Sequence, residues 1–451
     1  INARTDDGST ALVGAARSGH DDLGCFLIDN GAEVRAQRNN GWTTLHYACR
    51  NGLGRTAAML VEHGADVNAR DEDVRTPLIW ACWEGYGVLA NMLIDKGADV
   101  NAQGAKGNTA LIKACSQGLV GVVSLLIEKG ANVNARTSDG WTPLIFASYK
   151  GLLGVAELLI QKGAHVNART SDGKTALMGS CSNGHGELAS TLIKHGADIN
   201  AQDIYLNNPL NMACLEGLGS VAILLINMGV DIDVQNTDGD TPLISACQNG
   251  LGDVATKLIR KGSRVNTMSS VGDTPLICAC EEGLSQVAAL LIERGADVNA
   301  QNDDGWNALI HACANGLQDI AVMLIDHGAR LHMRNNHGST PLIKASMNGH
   351  EALVAILLNR GRDVDAQIVE ENDADLMDNG DAGVWTGGNI CGDTPLILAA
   401  QQGHIKVVDM LIQSGADVNV RNVDNNTALT LAQLGCHNEV VSILIQHGAL
   451  L

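Results

Sequence analysis

An all-α solenoid, elongated and built from stacked helix pairs, is the fold class this chain predicts, and three observations predict it. A string of the form G-x-T-P/A-L returns every 33 residues. Each copy carries two short helical runs with apolar faces. The length, 451 residues, exceeds what one hydrophobic core usually serves, so the core must run along a repeat array or divide into domains.

The period is read from its glycines: Gly8, Gly41, Gly107, Gly140, Gly173, Gly239, Gly272, Gly305 and Gly338. Val74 and Leu206 stand in the same place in two copies. After Gly338 the spacing breaks once: the next glycine is Gly392, and Asn425 follows one period later. This gives 13 copies and one insertion, with domains expected at 1–367 (repeats 1–11), 368–391 (insertion) and 392–451 (repeats 12–13). Each copy has the same order. In Asp303 to His332, Asp303-Asp304-Gly305 is a turn, and Ala308 to Cys313 a first helix stopped at Asn315-Gly316. Ile320 to Ile325 is a second helix, closed by His327-Gly328. Helices this short are not stable alone. Each must bury its apolar face against neighbouring copies, so stacking is obligatory.

The pattern resembles the ankyrin repeat family. The residues that carry the resemblance are Thr142-Pro143-Leu144 with Ala147, then Leu158-Leu159, then Gly163 to Ala168, and equivalent strings recur through nearly the whole chain. The resemblance implies a curved, elongated ankyrin-repeat solenoid of helix-turn-helix units, with β-hairpin-like turn fingers along one edge. At about 10 Å per copy its arc would run to roughly 130 Å. The family's histidine after T-P-L, which bonds to the turn backbone, appears here only as His46; Ile79, Ile112, Ile145 and their equivalents replace it. The chain opens on Ile1-Asn2-Ala3, like the tail of a preceding copy, and stops within a copy, so a longer natural protein is expected.

Composition limits function. The net charge of −20 opposes nucleic acid as the main partner. No apolar run is long enough to span a membrane, and no secretory signal opens the chain. Eight of twelve cysteines share one place, eight residues past the motif position, from Cys49 to Cys313. Stacked helices lie too far apart for disulfides there, so buried thiols in a reducing, cytoplasmic setting are expected. His63, His195, His327 and His447 lie at helix ends, where imidazole complements the dipole. His350-Glu351 begins a zinc-protease string that fails at Val354, and Gly85-Tyr86-Gly87 mimics a dinucleotide fingerprint but follows a helix instead of a strand. No catalytic grouping, metal or cofactor is expected.

Binding is expected where the resemblance places a concave groove: positions one, six, nine and ten past the motif position. The last three share a helical face. Eight of the twelve aromatic residues fall on positions one, six and nine, seven of them between 42 and 149: Trp42, Tyr47, Trp80, Trp83, Trp141, Phe146 and Tyr149. Exposed rings of this kind anchor protein interfaces. Trp80 and Trp83 are therefore expected to contribute binding while adding little to stability. Arg17, Arg50, Lys113 and Lys150 lie on the same face, so a protein or peptide ligand that is acidic and partly apolar suits it. Residues 1–150 hold 14 basic and 16 acidic residues, whereas 301–451 hold 7 and 18, making the C-terminal surface acidic. The insertion carries Glu370, Glu371, Asp373, Asp375, Asp378 and Asp381 with Trp385, and reads as a flexible acidic loop or an arm that docks. It does not match a calcium loop. A scaffold or adaptor is the expected function. The alternatives are a repeat segment of a larger enzyme or channel, and a structural assembly subunit.

Overall fold

The computed structural model describes residues 1–361, 363–368 and 391–450. Among them are 26 α-helices in 13 consecutive pairs and no β-strand. The chain divides into two compact units, Ile1–Val230 and Asp231–Leu451. In the copy singled out above, the helices are Ala308–Ala314 and Gln318–Asp326.

The start of each first helix is written in the motif. Thr142 is extended, and its hydroxyl accepts the Ile145 N–H at 3.2 Å. The same side-chain cap recurs from Thr10 to Thr427, with Asn208 and Asn307 serving in two copies. Such a cap stabilises a helix by about 1 kcal/mol. All seven prolines of the chain follow such a cap at the first helical position, where a missing N–H costs no hydrogen bond. At the turn tip, Gly140 has φ +81°, and a Cβ there would come within 2.8 Å of the Arg169 carbonyl in the next finger. Val74 and Leu206 adopt the same left-handed backbone, at φ +60° and +61°, a strained choice for side chains of that bulk.

Packing follows from the two faces. Leu45, Leu78, Leu111 and Leu144 from first helices are sealed, as are Leu60, Leu93, Leu126 and Leu159 from second helices. Each contributes about 1.5–3 kcal/mol by leaving water. The repeated cysteine position is fully buried from Cys49 to Cys313. Burial pushes the thiols of Cys82, Cys181 and Cys280 up to about 12, which suppresses the reactive thiolate. Where serine replaces cysteine, at Ser148 and Ser346, the buried hydroxyl finds no hydrogen-bond partner among the described residues. The position is therefore apolar as well as small.

Polar ties join successive repeats. The Asn101 side chain donates to the Gly130 carbonyl at 3.0 Å and accepts the Asn132 N–H at 2.8 Å. Asn68, Asn134, Asn266, Asn299 and Asn419 make the same pair of bonds. Finger backbones are also linked, as in Ser138 N–H to the Lys106 carbonyl at 2.8 Å. His46 closes a capping box with Thr43 and meets the Arg75 carbonyl at 3.0 Å. Its burial pushes the imidazole pKa down, so it stays neutral.

Two histidine groups have separate tasks. His63, His195 and His327 close second helices, their Nδ1 atoms lying 2.8–2.9 Å from carbonyls of the last turn. His185, His350, His404 and His437 instead precede second helices, and each Nε2 meets a carbonyl of the repeat before it. Their rings lie over Gly151, Gly316, Gly349 and Gly403, where an added Cβ would be 2.5–2.8 Å away.

The insertion leaves and returns at one point. The Ile368 N–H bonds the Asp393 carbonyl at 3.0 Å, and the Gly392 N–H bonds the Ile368 carbonyl at 2.8 Å. Ile368 is buried with Ile343, Ala366 and Leu398. Residues 369–390, including the acidic residues and Trp385, lie outside the described residues. No helix among the described residues is long and apolar enough to cross a membrane.

Candidate functional site

The aromatic positions form a layered surface, not a row of free rings. In unit 1 the finger before helix Thr44–Asn51 supplies Trp42, and the helix itself supplies Tyr47 and Arg50. Helix Pro77–Trp83 supplies Trp80 and Trp83, and helix Ala110–Gln117 supplies Lys113. Trp42 packs on Tyr47 and on Trp80, with ring centroids 4.7 and 5.0 Å apart, and Trp80 stacks on Trp83 at 5.7 Å. Trp42, Tyr47 and Trp80 are consequently only 7%, 5% and 6% exposed. The expectation that these three stand free is corrected. Position one of one repeat lies beside position six of the next, so large residues in both cover each other. Trp83 keeps partial exposure.

Polar partners fix this floor. The Trp80 indole N–H donates to Asp71 Oδ2 at 2.9 Å. Arg38 donates to the Tyr47 hydroxyl oxygen at 2.7 Å and pairs with Asp7. Trp80 is thus a structural member of the face, contrary to the expectation that it adds little to stability.

Cations interleave with the rings. The Arg50 guanidinium carbon lies 5.7 Å from the Trp42 centroid and 5.5 Å from that of Trp80. Arg75 lies 4.8 Å from Trp80 and 5.4 Å from Trp83, and it pairs with Asp73. The Lys113 ammonium sits 3.7 Å above Trp83. Partial burial, and then the Arg75 charge, push the Lys113 pKa down. Arg50 and Lys113 have no carboxylate partner among the described residues; the cation–π contacts hold them instead.

A second group follows. Trp141 stacks on Phe146 at 4.7 Å and meets Tyr149 at 5.1 Å. All three are half-buried. Tyr149 covers Gly179, the position-six residue of the next repeat, where a Cβ would come within 2.3 Å of the ring. Burial pushes the Tyr149 hydroxyl pKa up. Lys150 is exposed at the end of its helix, and Lys174 pairs with Asp172 at 3.0 Å. Position ten proves largely structural: Asn51, Gln117, Asn315 and Asn348 each donate to a carbonyl ending the first helix of the repeat before. Lys150 departs from that pattern.

Arg38, Asp71 and Arg75 were not singled out by sequence reasoning. Arg75 had a signal, since it occupies position one beside two tryptophans. Arg38 and Asp71 had none, because they lie outside the four groove positions. In unit 2, Trp306 pairs with His311 at 4.5 Å and carries Lys344 4.9 Å above it. Elsewhere in unit 2 the same positions hold Asp240, Ser245, Asp273, Cys278 and Glu281. Burial, then Asp238 and Asp273, push the Asp240 pKa up; desolvation, then Asp273 and Glu282, do the same to Glu281. Among the described residues no three histidine, cysteine or acidic side chains are grouped to hold a metal ion.

A periodic stack of helix pairs with one varied face defines a repeat-built interaction protein. Models of the family described as ankyrin repeats (3 copies) match residues 12–104, 78–170, 166–236, 210–302, 295–368 and 367–451. The chain belongs to the ankyrin repeat family, whose members are generally protein–protein interaction modules. Among curated proteins, none matches at a significant level.

Proposed function

We propose that the chain is a non-catalytic scaffold or adaptor that binds an acidic, partly apolar protein segment on the face built from Trp42, Tyr47, Trp80, Trp83, Trp141, Phe146 and Tyr149. Arg50, Lys113 and Lys150 supply the charge. The observation that carries this reading is the pair Arg50 and Lys113. Both are held against tryptophan rings, and neither has a carboxylate within the described residues. A ligand carboxylate would supply the missing partner on a surface already ordered, so little rotamer entropy opposes binding. The rings form a floor for apolar ligand groups, with Trp83 and the 141–149 cluster the most accessible. The buried free thiols support a reducing, cytoplasmic setting. We also divide the chain into repeats through 367, an insertion over 368–391 and two further repeats from 392, a reading supported by the bonds between Ile368 and the 392–393 backbone.

The test is selection of a displayed random peptide library on the intact chain, followed by affinity measurement on the wild type and an R50E/K113E variant. The enriched peptides are expected to be acidic, and charge reversal should weaken them at least tenfold while the chain still unfolds cooperatively, with stability lowered only by about 1–2 kcal/mol for the lost cation–π contacts. Equal binding to both proteins would reject this face.

A further inference from the structure

The face in unit 1 presents cations without carboxylate partners among the described residues: Arg50 and Lys113 on their tryptophan rings, and Lys150 exposed at its helix end. The chain itself contains a stretch of the opposite chemistry. Between Val369 and Ile390 stand Glu370, Glu371, Asp373, Asp375, Asp378 and Asp381, with no lysine, arginine or histidine. Leu376, Met377, Val384 and Trp385 lie among and just after them. The segment is acidic and partly apolar, which is the ligand chemistry that the face requires.

The six carboxylates fall within residues 370–381 and repel one another. Contact with unpaired cations relieves that repulsion. The apolar residues have a matching floor in Trp83, Trp141, Phe146 and Tyr149, the partly exposed rings of the face. An indole buried against such rings contributes one of the largest apolar contacts a side chain can make. Charge also directs the segment to unit 1. The equivalent positions in unit 2 hold Asp240, Asp273 and Glu281, and like charges set against one another cost free energy.

The source of the segment follows from its tether. The bonds between Ile368 and the 392–393 backbone hold its two ends at one point. Its middle is therefore about eleven residues from that anchor, a reach of at most about 40 Å even for fully extended chain. Six whole copies, from that of Gly173 to that of Gly338, separate the anchor from Lys150 along the sequence. A second molecule has no such tether to satisfy.

We propose that the unit 1 face takes the 369–390 segment of a second copy of this chain, the carboxylates meeting Arg50, Lys113 and Lys150 and Trp385 lying on the exposed rings. The proposal rests on the binding face argued above and names the partner of that face. Face and segment are different surfaces, so the contact is heterologous: reciprocal exchange closes a dimer, and exchange in one direction builds an open chain. Salt should weaken the association, since surface charges are screened over about 8 Å at physiological ionic strength.

Sedimentation velocity of the whole chain across a range of concentrations tests this, with two variants. R50E/K113E changes the face, and E370Q/E371Q/D373N/D375N/D378N/D381N neutralises the segment. The wild type should associate reversibly, and each variant alone should associate at least about tenfold more weakly. An equimolar mixture of the variants should regain the lost contact, because each supplies what the other lacks, and should stop at dimers. A synthetic 369–390 peptide should bind the neutralised variant, and W385A in that peptide should weaken it several-fold. A wild type that stays monomeric at every concentration would overturn the second copy as occupant. Association that persists in both variants would overturn this pair of surfaces. Library-selected acidic peptides that bind in an R50E/K113E-sensitive way, while the 369–390 peptide does not bind, would reject the segment and leave the acidic-ligand face standing. Failure of every acidic peptide would overturn both.

Discussion

Residues 42–150 and residues 240–282 use the same repeat positions for opposite ends. In the first region, positions one, six and nine hold Trp42, Tyr47, Trp80 and Trp83, and the rings carry Arg50, Arg75 and Lys113. In the second they hold Asp240, Ser245, Asp273, Cys278 and Glu281, and no ring separates the charges. The cations of the first region share a polarizable floor. In the second, burial and then neighbouring charges, Asp273 among them, push the pKa values of Asp240 and Glu281 up. The threonine caps and leucine layers beneath are the same in both. The scaffold therefore tolerates either chemistry, and stability and surface charge are set by separate residues, except where rings fill the face.

That exception yields the largest expected effect. Trp80→Ala should cost about 3 kcal/mol, because it empties a buried site between Trp42 and Trp83 and removes the donor to Asp71. Chemical denaturation of the chain would measure it. A loss below about 1 kcal/mol would show that the floor is not part of the core. A smaller, opposite effect is expected from Asp273→Asn. Asp240 has a raised folded pKa, so its favourable contribution is complete below the ordinary aspartate range near pH 4 and is lost as pH rises through the folded value. Removing the Asp273 charge lowers that value, while an amide oxygen can still accept from Asn302. Stability at pH 7 should rise by about 0.5 kcal/mol, the scale of a partly screened pair, and the gain should vanish near pH 4. Melting at the two pH values decides this, since an equal gain at both would exclude charge as the cause. The smallest effect belongs to Ser245→Ala, at the same repeat position as Trp80. Its hydroxyl is buried without a partner among the described residues, so the change should be neutral or stabilising by a few tenths of a kcal/mol. A loss above 1 kcal/mol would reveal a bond that the structure does not contain.

The scaffold was legible in the sequence because its determinants are local. The T-P-L string contains its own cap and first-turn proline, and the leucines beside it can only face the next copy. The cysteine position was legible for the same reason, since eight equal residues on one period must share one environment. The face was half legible. Which residues lie there follows from spacing, but whether a ring is free depends on the side chain one repeat away. Trp42 is buried beside Trp80, whereas Trp141, with Gly179 at position six of the next copy, keeps partial exposure. Gly179 shows the converse, giving Tyr149 the room to lie across it. The histidines over Gly151 and Gly403 escaped notice because their contacts join residues 34 apart that no short motif links.

The asparagine bonds span 29 and 31 residues, and the finger bonds 32. None of these contacts depends on how many copies precede or follow it. A whole copy could be gained or lost by duplication or deletion, and its neighbours would close with the same bonds. Such a protein can change its reach in evolution without refolding its interior, and each added copy brings one more surface for selection to rewrite.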